Sequence, residues 1–182
     1  YIGLAIVETL LLWAAGMSLF DAVKHAFRTV ATGGFSTKNT SVMYFDSTSI
    51  DIIITVFMAL SAMHFGVIFA IVAGRSFKPL KHSVTKYYLG IIAVCSIIIT
   101  FSLKTQGGYE SWGGALLDST FQTVSYLTTT GFGQADNAMW PLLANTILIF
   151  AAMHCGCAGS TTGGIKADRM FIALKAIHGD FL

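Results

Sequence analysis

The chain has 182 residues, 54% of them apolar and only 11% charged, with a mean hydropathy of +0.70. A soluble domain carries about a quarter charged residues, so this composition excludes an ordinary soluble protein and marks a membrane one. The formal charge of +2 is too small to suggest nucleic-acid binding, and the odd number and spacing of the three cysteines, Cys95, Cys155 and Cys157, fit no zinc ligand set and argue against a disulfide framework. They read as buried, reduced thiols, small hydrophobes in effect.

In chain order, Tyr1 already lies inside an apolar run, with neither Met nor a basic leading region, so no signal peptide is visible. Residues are expected before Tyr1, and more after Leu182. Residues 2–20 form a first apolar span, close to the 20 residues a membrane helix needs, interrupted only by Glu8. Residues 21–30 are too short and polar to span and predict a re-entrant helix, with Asp21, Lys24 and Arg28 spaced for local ion pairing. The turn Thr32-Gly33-Gly34 follows, and residues 36–46 are polar and turn-like. Residues 49–74 read as one long continuous span, carrying Asp51 near one end and His64 in the middle.

Residues 75–86 hold Arg75, Lys78, Lys81, His82 and Lys86 with no acid, a positive-inside signal. Residues 87–103 are the next span, and Gly107, Gly108, Gly113 and Gly114 mark an outer loop. Residues 115–125 predict a second short helix, opening near Asp118 and leading into Thr128-Thr129-Thr130-Gly131. Trp140-Pro141 begins a further span that breaks at Gly156-Cys157-Ala158-Gly159-Ser160-Thr161-Thr162-Gly163-Gly164. A helical pattern resumes through Lys166, Arg169 and Lys175, a second basic end.

Span, short helix, turn, span therefore occurs twice. Both turns lie on the side opposite the basic segments, which places the turns outside and residues 75–86 and 166–182 in the cytoplasm. Pairing Phe35 with Phe132 superposes Asp21 on Asp118, Thr32 on Thr129 and Gly34 on Gly131. A rival register pairs Phe27 with Phe121 and leaves the short-helix equivalences open.

Non-helical backbone at membrane depth survives only when buried in protein or lining a water-filled cavity. A cation crossing there exchanges its water shell for backbone carbonyls, helped by threonine oxygens, and glycine adopts the required backbone at little cost. Val30, Ala31, Thr32, Gly33, Gly34 and Thr128, Thr129, Thr130, Gly131 suit that task. Two turns cannot close a ring, so two more must come from elsewhere. The Gly-rich break resembles the broken helices of transporters and suits a loop below the filter that obstructs the path, its end fixed by Lys166; close helix packing through small residues is the plainer reading. A phosphate-binding G-x-x-x-x-G-K-[ST] loop is rejected, because Ile165 precedes the lysine, Ala167 replaces Ser/Thr and no strand comes before.

His64 and His154 read as neutral, hydrogen-bonded packing histidines, and Glu8 as a group facing the interior or near a helix end. An intramembrane hydrolase on Ser160 with His154 or His64 is the rival from another class, but no G-x-S-x-G frame surrounds the serine.

The run from Gly156 to Lys166 resembles the intramembrane loop of the Trk/Ktr/HKT potassium-uptake superfamily, closest to its bacterial TrkH branch. Gly33-Gly34-Phe35-Ser36-Thr37, Phe45-Asp46-Ser47 and Gly74-Arg75-Ser76 are similar to that family's second repeat. Phe121-Gln122-Thr123-Val124-Ser125 with Thr129-Thr130-Gly131-Phe132 is similar to its third. The resemblance covers nearly the whole chain; Cys155 departs from it, standing where the family usually has glycine. It implies repeats two and three of four around one pore, with the charged pore residue of the fourth repeat outside this sequence. It also implies a homodimer and a cytoplasmic nucleotide-binding regulatory subunit of the TrkA/KtrA type.

The reading is an all-α membrane protein of repeated helix–pore-helix–filter loop–helix units, K⁺-channel-like, with the last helix broken by a Gly-rich loop. Residues 1–74 are repeat two, 75–86 a basic cytoplasmic loop and 87–182 repeat three. It is not an enzyme. It needs no cofactor of its own, with K⁺ the transported ion and nucleotide acting only through the regulator. The setting is a bacterial inner membrane. A sodium-permeable or Na⁺/H⁺-coupled transporter of the same architecture is the alternative; the family's plant branch pairs sodium transport with serine at a filter glycine, whereas Gly34 and Gly131 are both glycine.

Overall fold

The computed structural model describes residues 1–74, 82–106 and 108–179, so most of the basic segment expected at 75–86 lies outside the described residues. Eight helices carry the described chain. α1 (Ile2–Ala14) and α2 (Leu19–Val30) form an antiparallel pair, and a 3-10 turn (Ser41–Phe45) leads to α3 (Thr48–Ser61) and α4 (Phe65–Gly74). α5 (Ser83–Gln106), α6 (Trp112–Leu127), a second 3-10 turn (Asn137–Met139) and α7 (Leu142–Met153) repeat the order. Two-residue strands β1 (His154–Cys155) and β2 (Ile165–Lys166) pair in parallel, and α8 (Ala167–Gly179) then carries on.

The expected first span of residues 2–20 is shorter than hydropathy implies. Gly16 takes φ +106 and ends α1, while the Ser18 hydroxyl accepts the Asp21 amide at 3.1 Å and donates to its carboxylate at 2.9 Å. That cap hands Leu19 and Phe20 to the short helix, since a serine oxygen replaces a missing backbone partner at the helix start. Ser18→Ala is expected to cost about 1 kcal/mol, read as a lower thermal midpoint of the protein in detergent. The second short helix also begins earlier than expected. Ser111 caps it by accepting the Gly114 amide at 3.0 Å, which puts Gly113 and Gly114 inside α6.

The expected continuous span of residues 49–74 is bent by 110° between α3 and α4. Hydropathy does not reveal the break, which a distant partner and a local histidine cap stabilise together. The Ala62 carbonyl accepts the Cys157 amide at 2.8 Å, and His64 Nδ1 accepts the Gly66 amide at 3.0 Å, capping α4. Among the described residues α5, with 24 residues, is the helix long and apolar enough to cross a bilayer unaided.

The two units share one backbone design. Thr32 and Thr129 take φ +50 and +54, and Gly34 and Gly131 take +60 and +83. The helix-ending residues Ala31 and Thr128 match at φ −82 and −83. Asp21 accepts from Thr37 at 2.7 Å, and Asp118 accepts from Gln134 at 2.9 Å, the same positions in each unit. The pore-helix register is therefore the one pairing Phe35 with Phe132, without a gap.

A core joins the units: Leu12, Met17, Ala22, Val42, Ile50, Ile54 and Met58 of the first pack with Phe121, Val124 and Phe132 of the second. Ile99, Leu103, Ala115, Trp140, Ala144 and Leu148 form a core within the second unit. The local ion pairing expected within α2 does not form. Asp21 pairs instead with Lys38 at 3.9 Å, the only ion pair among the described residues. Lys24 lies 4.0 Å over the Phe20 ring, and Arg28 donates to the Phe35 carbonyl. Thr37 and Lys38 reach the buried Asp21 from across the turn and, with Ser18, occupy its carboxylate.

Candidate functional site

α2 and α6 each end on a Thr/Gly turn, so their C-terminal ends, the negative ends of the helix dipoles, meet at the turns and favour cations there. Threonine is branched at Cβ and pays for a left-handed backbone, yet Thr32 and Thr129 both adopt it. Strain of this kind costs on the order of 1–3 kcal/mol and gathers where a site demands it. Sequence reasoning assigned the unusual backbone to glycine; it holds for Gly34 and Gly131, while Gly33 has no positive φ.

The turns touch. A Cβ built on Gly34 would lie 1.7 Å from the Thr130 carbonyl oxygen, so only a glycine fits where the second turn crosses the first. On Gly131 a Cβ would meet nothing within 4 Å. Thr128 and Thr130 are buried and their hydroxyls bond each other at 2.7 Å. The Thr32 hydroxyl sits 2.8 Å from the Ala31 carbonyl.

The Gly-rich break brings its tip against both turns. Thr32 Oγ1 donates to the Thr161 carbonyl at 3.1 Å, and Thr161 Oγ1 donates to the Val30 carbonyl at 3.1 Å. The Gly163 amide donates to Thr129 Oγ1 at 2.9 Å. The loop thus engages the equivalent threonine of each unit. Gly159 and Gly164 take φ +75 and +74.

Two charged residues clamp the loop. Lys166 Nζ donates to the Ser160 carbonyl at 3.4 Å, to the Thr162 hydroxyl at 3.1 Å and to the Thr162 carbonyl. Asp168 accepts the Ala158 amide. Sequence spacing gave no signal for Asp168, which reaches ten residues back because the parallel pairing of β1 with β2 closes the break into a loop. Gly156 packs on the α3–α4 bend, where a Cβ would sit 2.6 Å from the Ala62 carbonyl. A Cβ on Gly164 would lie 2.4 Å from Cys155 Sγ and force the thiol aside, and the φ of +74 there favours glycine.

The remaining candidates are structural. Ser160 Oγ donates to the Cys157 carbonyl at 2.6 Å and meets Thr162 Oγ1 at 2.9 Å. His154 Nδ1 meets the Phe150 carbonyl at 3.0 Å and its ring lies 4.2 Å from that of Phe150. His64 Nδ1 accepts the Gly66 amide, and among the described residues neither histidine is hydrogen-bonded to Ser160. Glu8 is fully buried in α1, facing the interior as expected.

The profile of the TrkH cation transport proteins matches residues 1–181. The Trk system potassium uptake protein TrkH of Salmonella typhimurium is 39% identical over 176 residues, 96% of this chain and 36% of that protein. TrkG of Escherichia coli, also named a Trk system potassium uptake protein, is 35% identical over 161 residues, 88% of this chain and 33% of its own length. The crystal structure of the potassium transporter TrkH from Vibrio parahaemolyticus superposes with a TM-score of 0.91 at 37% identity, covering 98% of this chain and 39% of that one. The chain thus spans about a third of the length of the curated relatives it matches. That likeness gives the chain an all-α, K⁺-channel-like membrane fold. The chain belongs to the TrkH family of cation transport proteins.

Proposed function

We propose that this chain supplies two of four units around one pore that takes K⁺ up across a bacterial inner membrane. Residues 1–74 and 87–182 are the two units and 75–86 the cytoplasmic link between them. Val30 to Gly34 and Thr128 to Gly131 present carbonyl and hydroxyl oxygens to the ion, and residues 156–164 with Lys166 form the gate. The observation that carries the reading is the hydrogen bonding of the loop tip to Thr32 and Thr129, the matched threonines of both turns. A loop held there obstructs the path; one withdrawn toward the α3–α4 bend clears it. The turns face outward, while residues 75–86 and α8 face the cytoplasm, following the lysine and arginine bias. There a nucleotide-binding partner of the TrkA/KtrA type pulls the loop, and the whole protein works as a homodimer. Glycine at both Gly34 and Gly131 favours potassium over sodium, with the other two turns sharing in the selection.

Cation flux into proteoliposomes holding the full polypeptide, comparing K⁺, Rb⁺ and Na⁺, tests this. K⁺ and Rb⁺ are expected to flow with Na⁺ disfavoured, and Gly131→Ser to weaken that discrimination severalfold while the protein stays folded. Equal K⁺ and Na⁺ flux would overturn the potassium reading in favour of a sodium-permeable one. Absence of any cation flux, with the cytoplasmic partner added, would overturn the pore itself.

A further inference from the structure

Gln134 follows the second turn, and its side-chain amide touches two carboxylates. Nε2 donates to Asp51 Oδ2 at 3.0 Å and to Asp118 Oδ1 at 2.9 Å, so a single nitrogen separates two aspartates. The first unit treats the equivalent position differently. There Asp21 accepts from Ser18 and Thr37 and has Lys38 at 3.9 Å. Ala135 stands where Lys38 would fall in the second unit, so Asp118 lacks that cation and has Asp51 beside it instead. Neither Asp51 nor Asp118 forms an ion pair among the described residues. The charges that act on Asp51 are both negative, Asp118 on α6 and Asp46 at the end of the first 3-10 turn. α1 and α2 also pack against α3, and none of their ionisable groups, Glu8, Asp21, Lys24, His25 and Arg28, pairs with Asp51.

The two carboxylates are not alike. Asp118 accepts at both oxygens, Oδ2 taking the Tyr109 hydroxyl at 2.7 Å, which is the pattern of an ionised group. Asp51 is 6% exposed, and its carboxylate accepts the one bond from Gln134. Gln134 Oε1 is buried with no donor among the described residues. Leaving such an acceptor unmatched costs about 1–3 kcal/mol. Because the chain's own atoms cover that oxygen, its donor has to come from within the cluster. The Tyr109 hydroxyl is committed to Asp118, which leaves the Asp51 carboxyl, a donor once it takes up a proton. Two carboxylates that share a site also resist ionising together.

We infer that Asp51 is a proton-binding site, which takes a proton from the water on the side of the turns and presents it to Gln134 Oε1. An O–H bond forms at the carboxyl, which becomes neutral. Acid and amide then join through two hydrogen bonds, Nε2 to Oδ2 and O–H to Oε1, while the other Nε2 hydrogen stays on Asp118. Release of the proton to water removes the donor to Oε1 and sets two negative charges across one nitrogen. The resulting shift of Gln134 reaches the second turn through a stiff connection. The Phe132 carbonyl accepts Ser125 Oγ at 2.7 Å, and the Gly133 amide donates to Ser41 Oγ at 3.1 Å. Alkaline solution on that side therefore loosens the alignment of Thr128 to Gly131. This consequence rests on the reading of those residues as lining the ion path.

Infrared difference spectra of the full polypeptide in liposomes, recorded from acid to alkaline pH, test the site, since a protonated carboxyl has a C=O stretch that a carboxylate lacks. The wild-type protein is expected to show a carboxyl band that is lost on alkalinisation and is missing at every pH in Asp51→Asn. In Asp118→Asn the band is expected to disappear at lower pH, because the neighbouring like charge is gone. Wild-type and Asp51→Asn spectra that coincide throughout would overturn the site, as would a band unmoved by Asp118→Asn. Cation flux is then measured on the same samples. K⁺/Na⁺ discrimination is expected to fall severalfold as the solution facing the turns becomes alkaline. In Asp51→Asn it is expected to stay at its acid value, because the asparagine N–H donates to Gln134 Oε1 at any pH. Discrimination that ignores pH, in a protein that shows the band, would overturn the link to the turn. The band is read without ion movement, so failure of the proton site and failure of the potassium pore are separable results.

Discussion

Replacing Gly34 by serine is expected to collapse K⁺ flux and K⁺/Na⁺ discrimination, and to do far more damage than the same change at Gly131. The two glycines are equivalent in sequence register and both have positive φ, so each substitution carries backbone strain of about 1–2 kcal/mol. Their surroundings differ. At Gly34 the new Cβ would lie 1.7 Å from the Thr130 carbonyl oxygen and 2.7 Å from its carbon, and both atoms belong to backbone that no rotamer change can move. The turns must separate, which displaces the Thr130 carbonyl from its alignment. Strain and overpacking together amount to roughly 2–5 kcal/mol, enough to depopulate the aligned pair of turns more than tenfold. At Gly131 the new side chain enters open space, so the protein folds and only selectivity shifts. Parallel flux measurements on the two variants, with thermal midpoints in detergent, read this difference directly. Wild-type K⁺ flux and selectivity in Gly34→Ser would sink the placement of the second turn against the first.

Lys166→Met is expected to raise K⁺ flux in the absence of any cytoplasmic partner, by roughly tenfold. The methionine keeps the length of the side chain and removes the charge. What is lost is the set of donations to the Ser160 and Thr162 carbonyls and the Thr162 hydroxyl that keep the loop folded against the turns. Hydrogen bonds to a charged group contribute about 1.5–3 kcal/mol each in buried settings. Lys166 is only half-buried, which argues for the lower figure, about one decade in the closed-to-open ratio. Arginine is a poor rescue, since its planar fork does not reproduce a compact ammonium reaching three oxygens. Flux into proteoliposomes without the partner is the measurement. An unchanged or lowered basal flux in Lys166→Met would show that the clamp does not hold the closed state.

How much was legible in the sequence depended on whether the responsible partner was near in the chain. The two Thr/Gly turns, the short helices before them and the Gly-rich break were visible, because glycine, threonine and interrupted hydropathy are local signals. The equivalence of Asp21 with Asp118 was visible too, and it takes its meaning from Thr37 and Gln134, which lie two residues beyond the paired phenylalanines. The bend between α3 and α4 was not visible, since mean hydropathy runs unbroken past His64 and the break is stabilised in part by the Cys157 amide, far along the chain. The boundary at Ser18 was missed for a different reason: hydropathy ran through Phe20, while one serine hydroxyl decided where α2 begins.

The sequence by itself determined the class of protein, the repeated order of spans and turns, and the residue types able to present oxygens to a cation. Those follow from solvation, since a segment this apolar must lie in the membrane and polar backbone within it must find partners. Only the tertiary structure decided which threonines bear the strained backbone, that the broken helix reaches both turns at once, and that Asp168 and Lys166 clamp it. It alone separated Gly34, pressed against a carbonyl, from Gly131, facing open space. Identical local chemistry acquired different roles there because the second unit packs its turn into the first, a contact between residues nearly a hundred positions apart that no local pattern encodes.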